Sequence, residues 1–306
     1  MKQKSFFIGV DSGGTKLEIL ITDEKKKVIH DGIYPSCHYS VHGAEKTSTA
    51  LSQTILDVIK KKKLKISGCL GIAFGIAGAR QDFDRAQLQR LFIKKIGIKN
   101  ITVVTDAMNA ITGAFEGRDG IILIAGTGSV LYGKHNGKMI RVGGWGRILG
   151  DQGSGFIIGR EGLRQLVKEY DHRPLTKNES VFSKLVKKEF GMKQENIVDM
   201  VFAQNFEIQR ACVLVIKAAQ KNDKPYKKIV IDAADDLLQQ IGLYLKLSSI
   251  RSKIDIAFIG SLIENKNILS DTLKKGVKRN FKNVNIVKKK SKPTMGAIHI
   301  AMKGSV

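Results

Sequence analysis

Apolar positions along the chain fall into two rhythms that alternate in blocks. Short apolar runs, some alternating with polar residues, predict strands at 5–10 (SFFIGV), 17–22 (LEILIT), 27–34 (KVIHDGIY), 69–75 (CLGIAFG) and 100–105 (NITVVT). Longer stretches with helical spacing predict helices at 44–63 and 84–95, with another opening at Ala107. From Gly120 the opening pattern returns: IILIA, a glycine turn, VLYGKHN, and a further strand after the tight turn at Asn136-Gly137. Two strand–glycine turn–strand units about 115 residues apart point to an internal duplication. After a glycine-dense bend at 143–155 come predicted helices at 156–170, 178–190, 207–222 and 230–249. They are followed by strand 254–259, helix 265–280, strand 283–287 and a helix from Met295. The order is α/β, with two domains joined by a hinge expected near 107–120.

Composition narrows this. At 306 residues the chain is about twice a usual domain, and 42% hydrophobic with 26% charged residues is ample for two cores. No apolar run reaches membrane-span length, and Phe6–Val10 stops at Asp11, too short for a signal core, so the expectation is a cytoplasmic protein without a membrane partner. Cys37, Cys69 and Cys212 are odd in number, far apart and outside any metal-ligand spacing, which reads as reduced thiols. The net charge of +24 invites a nucleic-acid reading. Its lysines, however, lie in short scattered runs, at 25–27, 60–63, 187–188 and 288–290, without interleaved aromatics, so no specific nucleic acid is expected.

Candidate chemistry gathers at a few places. Phosphate binding needs converging backbone N–H groups unobstructed by Cβ atoms, which glycine turns supply. The turn Asp11-Ser12-Gly13-Gly14-Thr15-Lys16 joins two strands and lacks Walker spacing; Gly126-Thr127-Gly128-Ser129 is its echo. Each could instead be an ordinary tight turn. Asp11, ending an apolar strand, suits Mg²⁺ held through water, or alternatively an Asx-turn. Lys16 could reach a phosphate or simply decorate the surface. Asp106 ends a strand where open α/β sheets place ligands; the bland alternative is a helix N-cap. In the segment GGWGRILGDQGSG (143–155), Trp145 suits a sugar ring face and Asp151 its hydroxyls, unless the indole merely fills a core.

In order, VDSGGTK, FGIAGA, VVTDAMNAITGA, IAGTGS, GGWGRILGDQGSGFIIGREGL, FIGSL and PTMGA resemble the motifs of the BadF/BadG/BcrA/BcrD-type ATPases of the actin/hexokinase/Hsp70 superfamily. Among these they are most similar to the N-acetylglucosamine kinases. The resemblance implies an α/β fold of two ribonuclease-H-like (actin/hexokinase-type) domains with mixed sheets and a cleft between them. The first would span 1–115, completed by a C-terminal helix at 295–306, and the second 116–294. It implies ATP and Mg²⁺ as cofactors, a small-molecule sugar as substrate and a homodimer. Asp11 and Gly13, Gly14, Thr15 and Lys16 would form the first phosphate loop, Gly126, Thr127 and Gly128 the second, and Gly260 with Ser261 part of the adenosine pocket. Asp106 would be the base that takes the proton of the sugar 6-hydroxyl. Ser129, Gly144, Trp145, Gly146 and Asp151 would contact the sugar. Where such kinases hold the sugar with an Asn, this chain has Cys37 and His38, which opens the choice among N-acetylglucosamine, glucosamine and N-acetylmuramate. An ATPase that activates a 2-hydroxyacyl-CoA dehydratase is the competing enzyme; its Fe–S cluster would need cysteines that this chain does not present together.

Overall fold

A computed structural model describes residues 5–172 and 179–304. The chain divides into two compact units, Met1–Asp119 with Lys288–Val306, and Gly120–Val287.

The first unit holds β1 (Phe6–Ser12), β2 (Lys16–Thr22), β3 (Val28–Pro35), α1 (Tyr39–Lys61), β4 (Cys69–Ile76), α2 (Asp82–Ile96), β5 (Ile101–Val104) and α3 (Asp106–Phe115). In the second lie β6 (Gly120–Ala125), β7 (Ser129–His135), β8 (Lys138–Gly143), α4 (Gly155–His172), α5 (Val181–Phe190), α6 (Ile197–Phe202), α7 (Ala211–Gln220), α8 (Lys224–Ser248), β9 (Ile254–Ile259), α9 (Ser261–Glu264), α10 (Ile268–Asn280) and β10 (Val284–Val287). The closing helix, α11 (Pro293–Lys303), returns to the first unit.

The sheets have one topology. The first runs β3-β2-β1-β4-β5 and the second β8-β7-β6-β9-β10, each a three-stranded antiparallel meander extended by two parallel strands. This is the duplication seen in the glycine-turn spacing, and each unit has the mixed α/β sheet expected of a ribonuclease-H-like domain. Central strand β1 is apolar from Phe6 to Val10 because both faces are covered. Edge strand β3 alternates and leaves Ile33 exposed.

Close approach of α11 sets the architecture of the first unit. A Cβ on Gly296 would lie 2.0 Å from Asn109 O, so the helix packs backbone to backbone against α3. The segment before it joins the same unit, earlier than residue 295: Lys290 N–H donates to Ala114 O (3.1 Å), and Ser291 donates to Gly113 O through N–H (3.1 Å) and Oγ (2.9 Å). Residues 106–115, inside the expected hinge, are regular helix.

Most other differences are at boundaries. Helix α1 starts at Tyr39, before the expected residue 44, because the His38 side chain caps it, with a break at Gly43 (φ 71°). The predicted helix at 178–190 begins at Val181, capped by Ser180; residue 178 lies outside the described residues. Among the described residues no helix is long and apolar enough to cross a membrane. All three cysteines are free; burial pushes the thiols of Cys69 and Cys212 up to about 12. The charge excess is shared, with 24 Lys and Arg against 12 Asp and Glu in the first unit and 28 against 16 in the second. Each half thus carries +12, so the excess is not confined to one of them.

Candidate active site

In the first unit, β1 carries Asp11 to the end of the sheet, opposite Glu18 on β2 and Gly75 on β4. Gly75 has no alternative there, since a Cβ would sit 1.9 Å from Asn109 Nδ2. Asn109 uses that space to donate to Val10 O (2.9 Å) and Asp11 Oδ1 (3.1 Å), fixing the carboxylate from a helix 98 residues away in sequence. Burial is the main cause that pushes Asp11 up to about 7, with the Asp106 and Glu18 charges adding to it and the Asn109 hydrogen bond opposing it.

The turn itself closes by Gly13 N–H to Lys16 O (3.0 Å), and Ser36 Oγ donates to Gly13 O (2.6 Å). Gly13 therefore shapes the turn without offering its N–H, whereas no acceptor among the described residues meets the N–H of Gly14 or Thr15. Lys16 is paired with Glu18, so its ammonium is tethered beside the turn.

Asp106 opens α3, but it does not cap it. The N-cap is Thr105, whose Oγ1 accepts from Met108 N–H (3.2 Å), so the capping alternative for Asp106 falls away. Burial raises its pKa; its own N–H and that of Ala107, then the charges of Arg80 and His38, act against the rise. His38 lies beside the first turn: a Cβ on Gly14 would stand 3.5 Å from its Cδ2. Cys37 behaves differently. Its thiol donates to Thr47 Oγ1 (3.9 Å) and packs on the first unit's core, so of the two residues expected at the sugar only His38 has a link to Asp106.

In the second unit the turn Gly126-Thr127-Gly128 is braced by backbone. Gly126 N–H donates to Gly128 O (2.9 Å), and the first N–H groups of α4 donate to it, Gly155 to Gly126 O (2.8 Å) and Phe156 to Thr127 O (3.1 Å). The N–H groups of Thr127 and Gly128 meet no acceptor among the described residues. Asp151, itself at positive φ (58°), accepts from Gly146 N–H through Oδ1 (3.0 Å). Its Oδ2 lies 2.6 Å from where a Cβ on Gly128 would be, so one carboxylate locks the 144–151 loop against the turn. Gly260, at φ 106°, sits against Ala125 O and donates to Glu264 Oε2 (2.9 Å), placing the exposed Ser261 at the start of α9.

One expectation in this unit meets a different geometry, and one alternative falls away. Ser129 does not offer a sugar its hydroxyl: it is buried, donates to Gln152 O (2.6 Å) and accepts from Gln240 Nε2 (3.4 Å). Trp145 is not a core residue either. It is 68% exposed, flanked by the positive-φ glycines Gly144 and Gly146, with the Arg141 guanidinium 4.6 Å from its ring centre. An exposed indole face suits the expected sugar stacking.

The residues fit a nucleotide and a divalent cation. Each unit has a turn with uncommitted N–H groups, and among the described residues the half-buried Asp11 carboxylate accepts a single hydrogen bond, at Oδ1, and meets no cation. Among the described residues no group of three His, Cys, Asp or Glu could cage a metal, so any ion here would be held largely by water and phosphate.

Comparison with known proteins places the whole chain among kinase relatives. Over 303 residues the chain is 30% identical to the N-acetylmuramic acid/N-acetylglucosamine kinase of Clostridium acetobutylicum, covering 97% of this chain and 98% of that one. It is 29% identical over 316 residues to the N-acetyl-D-glucosamine kinase of Dictyostelium discoideum, covering 98% of each. A solved Chromobacterium violaceum structure, provisionally named an N-acetylglucosamine kinase, shares the fold at TM-score 0.69 and 21% identity over 96% of this chain and 98% of that one. The model of the BadF/BadG/BcrA/BcrD ATPase family matches residues 8–301, and the chain belongs to that family.

Proposed function

We propose that the chain is an ATP-dependent sugar kinase that phosphorylates the 6-hydroxyl of N-acetylglucosamine or a related hexosamine. The observation that carries this is Asp106, a half-buried carboxylate at the first position of α3 that Thr105 has relieved of capping. Whole-length relatives named as kinases of N-acetylglucosamine and N-acetylmuramic acid support the acceptor class.

Phosphoryl transfer passes through a loose transition state, so the protein's work is positioning and charge placement. Asp106 receives the hydroxyl proton as the oxygen attacks. Its raised pKa makes it a better base than an exposed Asp, and the N–H groups of α3 hold the carboxylate in place. The free N–H groups of Gly14, Thr15, Thr127 and Gly128 hold phosphate oxygens, and Ser261 at the start of α9 lies at the adenosine. Asp11, oriented by Asn109, would hold Mg²⁺ through water; when bound, the ion neutralises charge on the phosphoryl oxygens. Trp145 offers the sugar its ring face, and Asp151 keeps that loop in shape. The reaction belongs in the cytoplasm, where ATP is available.

The position of transfer is tested by ¹H–³¹P correlation on the isolated sugar product. Coupling of the phosphorus to both C6 protons is expected; coupling to the anomeric proton would replace this reading with an anomeric kinase.

A further inference from the structure

Helix α8 holds the loop that follows β8 at both of its ends. At the entry, Gly143 (φ 75°) passes so close that a Cβ would lie 3.1 Å from Gln240 Oε1. At the exit, a Cβ on Gly153 (φ 76°) would stand 2.6 Å from Leu237 Cγ and 2.7 Å from Ala233 O. Between them the ties are local, Gly146 N–H to Asp151 Oδ1 (3.0 Å) and Gly150 N–H to Gly146 O (2.8 Å), and the tip leaves Trp145, Ile148 and Leu149 exposed.

Gln240 joins the loop to the helix by more than contact. Its side chain is buried, and Nε2 donates to Gln152 O (3.2 Å), next to Asp151, and to Ser129 Oγ (3.4 Å). Ser129 in turn donates to Gln152 O (2.6 Å), so one carbonyl of the loop takes two donors, and the amide fixes the rotation of the hydroxyl. Gln240 Oε1, by contrast, is buried and has no hydrogen-bond partner among the described residues. A buried amide with its oxygen unmet is a poor choice for stability alone. Methionine would fill a similar space, and Ser129 and Gln152 would still satisfy each other, so folding does not call for a glutamine here.

We propose that Gln240 is a positioning residue for the acceptor sugar, acting through Ser129 and Gln152 on loop 143–153 without touching the sugar. This rests on the sugar-kinase reading, in which the loop carries Trp145 to the sugar. A loop whose ends are already set on a rigid helix has less to order when the sugar arrives, and preorganisation of this kind strengthens binding. The Gly126-Thr127-Gly128 turn has its own backbone braces from Gly155 and Phe156, so nucleotide binding depends less on the amide.

The test sets Gln240→Met beside wild type and reads KM for N-acetylglucosamine, KM for ATP, Tm, and the fluorescence anisotropy of Trp145, the single tryptophan. Expected are a sugar KM raised at least about fivefold, an ATP KM within about twofold, an unchanged or higher Tm and a lower Trp145 anisotropy. Gln240→Glu, which sets a carboxylate oxygen against Gln152 O, should raise the sugar KM further. A sugar KM that stays at its wild-type value in Gln240→Met overturns the proposal, whether or not the anisotropy falls, and leaves the kinase reading intact. A Tm that drops while both KM values rise together also overturns it and makes Gln240 a packing residue. Wild type that turns over no sugar removes both.

Discussion

The two glycine turns occupy the same place in sheets of the same strand order, yet only one of them carries acid. At the end of β1 stands Asp11, with Asn109 and Asp106 supplied by α3. The corresponding end of β6 is Ala125, and what surrounds it is backbone: Gly260 against its carbonyl, α4 N–H groups on the turn, and Asp151 as a clamp. A duplicated scaffold has been divided between two tasks. Under the proposed function the first copy would place titratable groups for proton transfer and cation binding, and the second a cradle built mainly from main chain with the Asp151 carboxylate as its clamp. Substitutions in the first should therefore strike rate and pH behaviour, and in the second affinity and stability.

The largest expected effect is on rate. Asp106→Asn keeps the shape and removes the base, so kcat should fall by about 10²–10⁴, roughly 3–5 kcal/mol of barrier, with ATP affinity nearly unchanged. Steady-state kinetics with an ATP titration checks both halves.

Next comes the cradle. In Gly128→Ala the new methyl would meet Asp151 Oδ2, forcing the clamp off the turn at a cost of about 1–3 kcal/mol; KM for ATP should rise and Tm fall by several degrees. Gly126→Ala sharpens this, because a Cβ there meets nothing within 4 Å and calorimetry should find Tm little changed.

Asp11 gives a smaller, pH-dependent effect. Its pKa is about 7 folded against 3.8 for the free side chain, so folding takes up a proton between those values and stability falls as pH rises through that window. Without divalent cation, Asp11→Asn should therefore gain stability relative to wild type as pH rises from 4 to 8, with little difference near pH 4. Denaturant titrations at both pH values measure it; a difference that does not change with pH contradicts the buried carboxylate.

Trp145→Ala should change stability least, by under about 1 kcal/mol, because the exposed indole buries little area. Its effect should appear instead as a raised KM for the sugar.

Much of this was legible in the sequence, because periodicity and glycine turns report local structure. The ten strands among the described residues, the repeated turn and the place of Asp106 between β5 and α3 all follow from runs of a few residues. The short helix α6 did not, since six residues give no helical period to detect. Nor did the partners that define the site's chemistry. Asn109 reaches Asp11 only because Gly75 leaves room for it, and Gln240 fixes Ser129 across 111 residues. Ser129 was expected at the sugar only from the family resemblance; the hydroxyl of a strand's first residue can as readily face inward, and here it does. Cys37 and His38 are neighbours in sequence, but α1 starts right after them, sending the thiol to the core and leaving the imidazole as cap.

The measurement that bears most directly on the kinase reading is ADP release with ATP and Mg²⁺ against N-acetylglucosamine, glucosamine, N-acetylmuramic acid, N-acetylmannosamine and glucose, with a control lacking sugar. Release that depends on one or two amino sugars, with the sugar-free control at background, is the predicted result. ADP formed at the same rate whatever the sugar would contradict it and make the chain an ATPase that serves a partner, and no ADP in any reaction would contradict it equally.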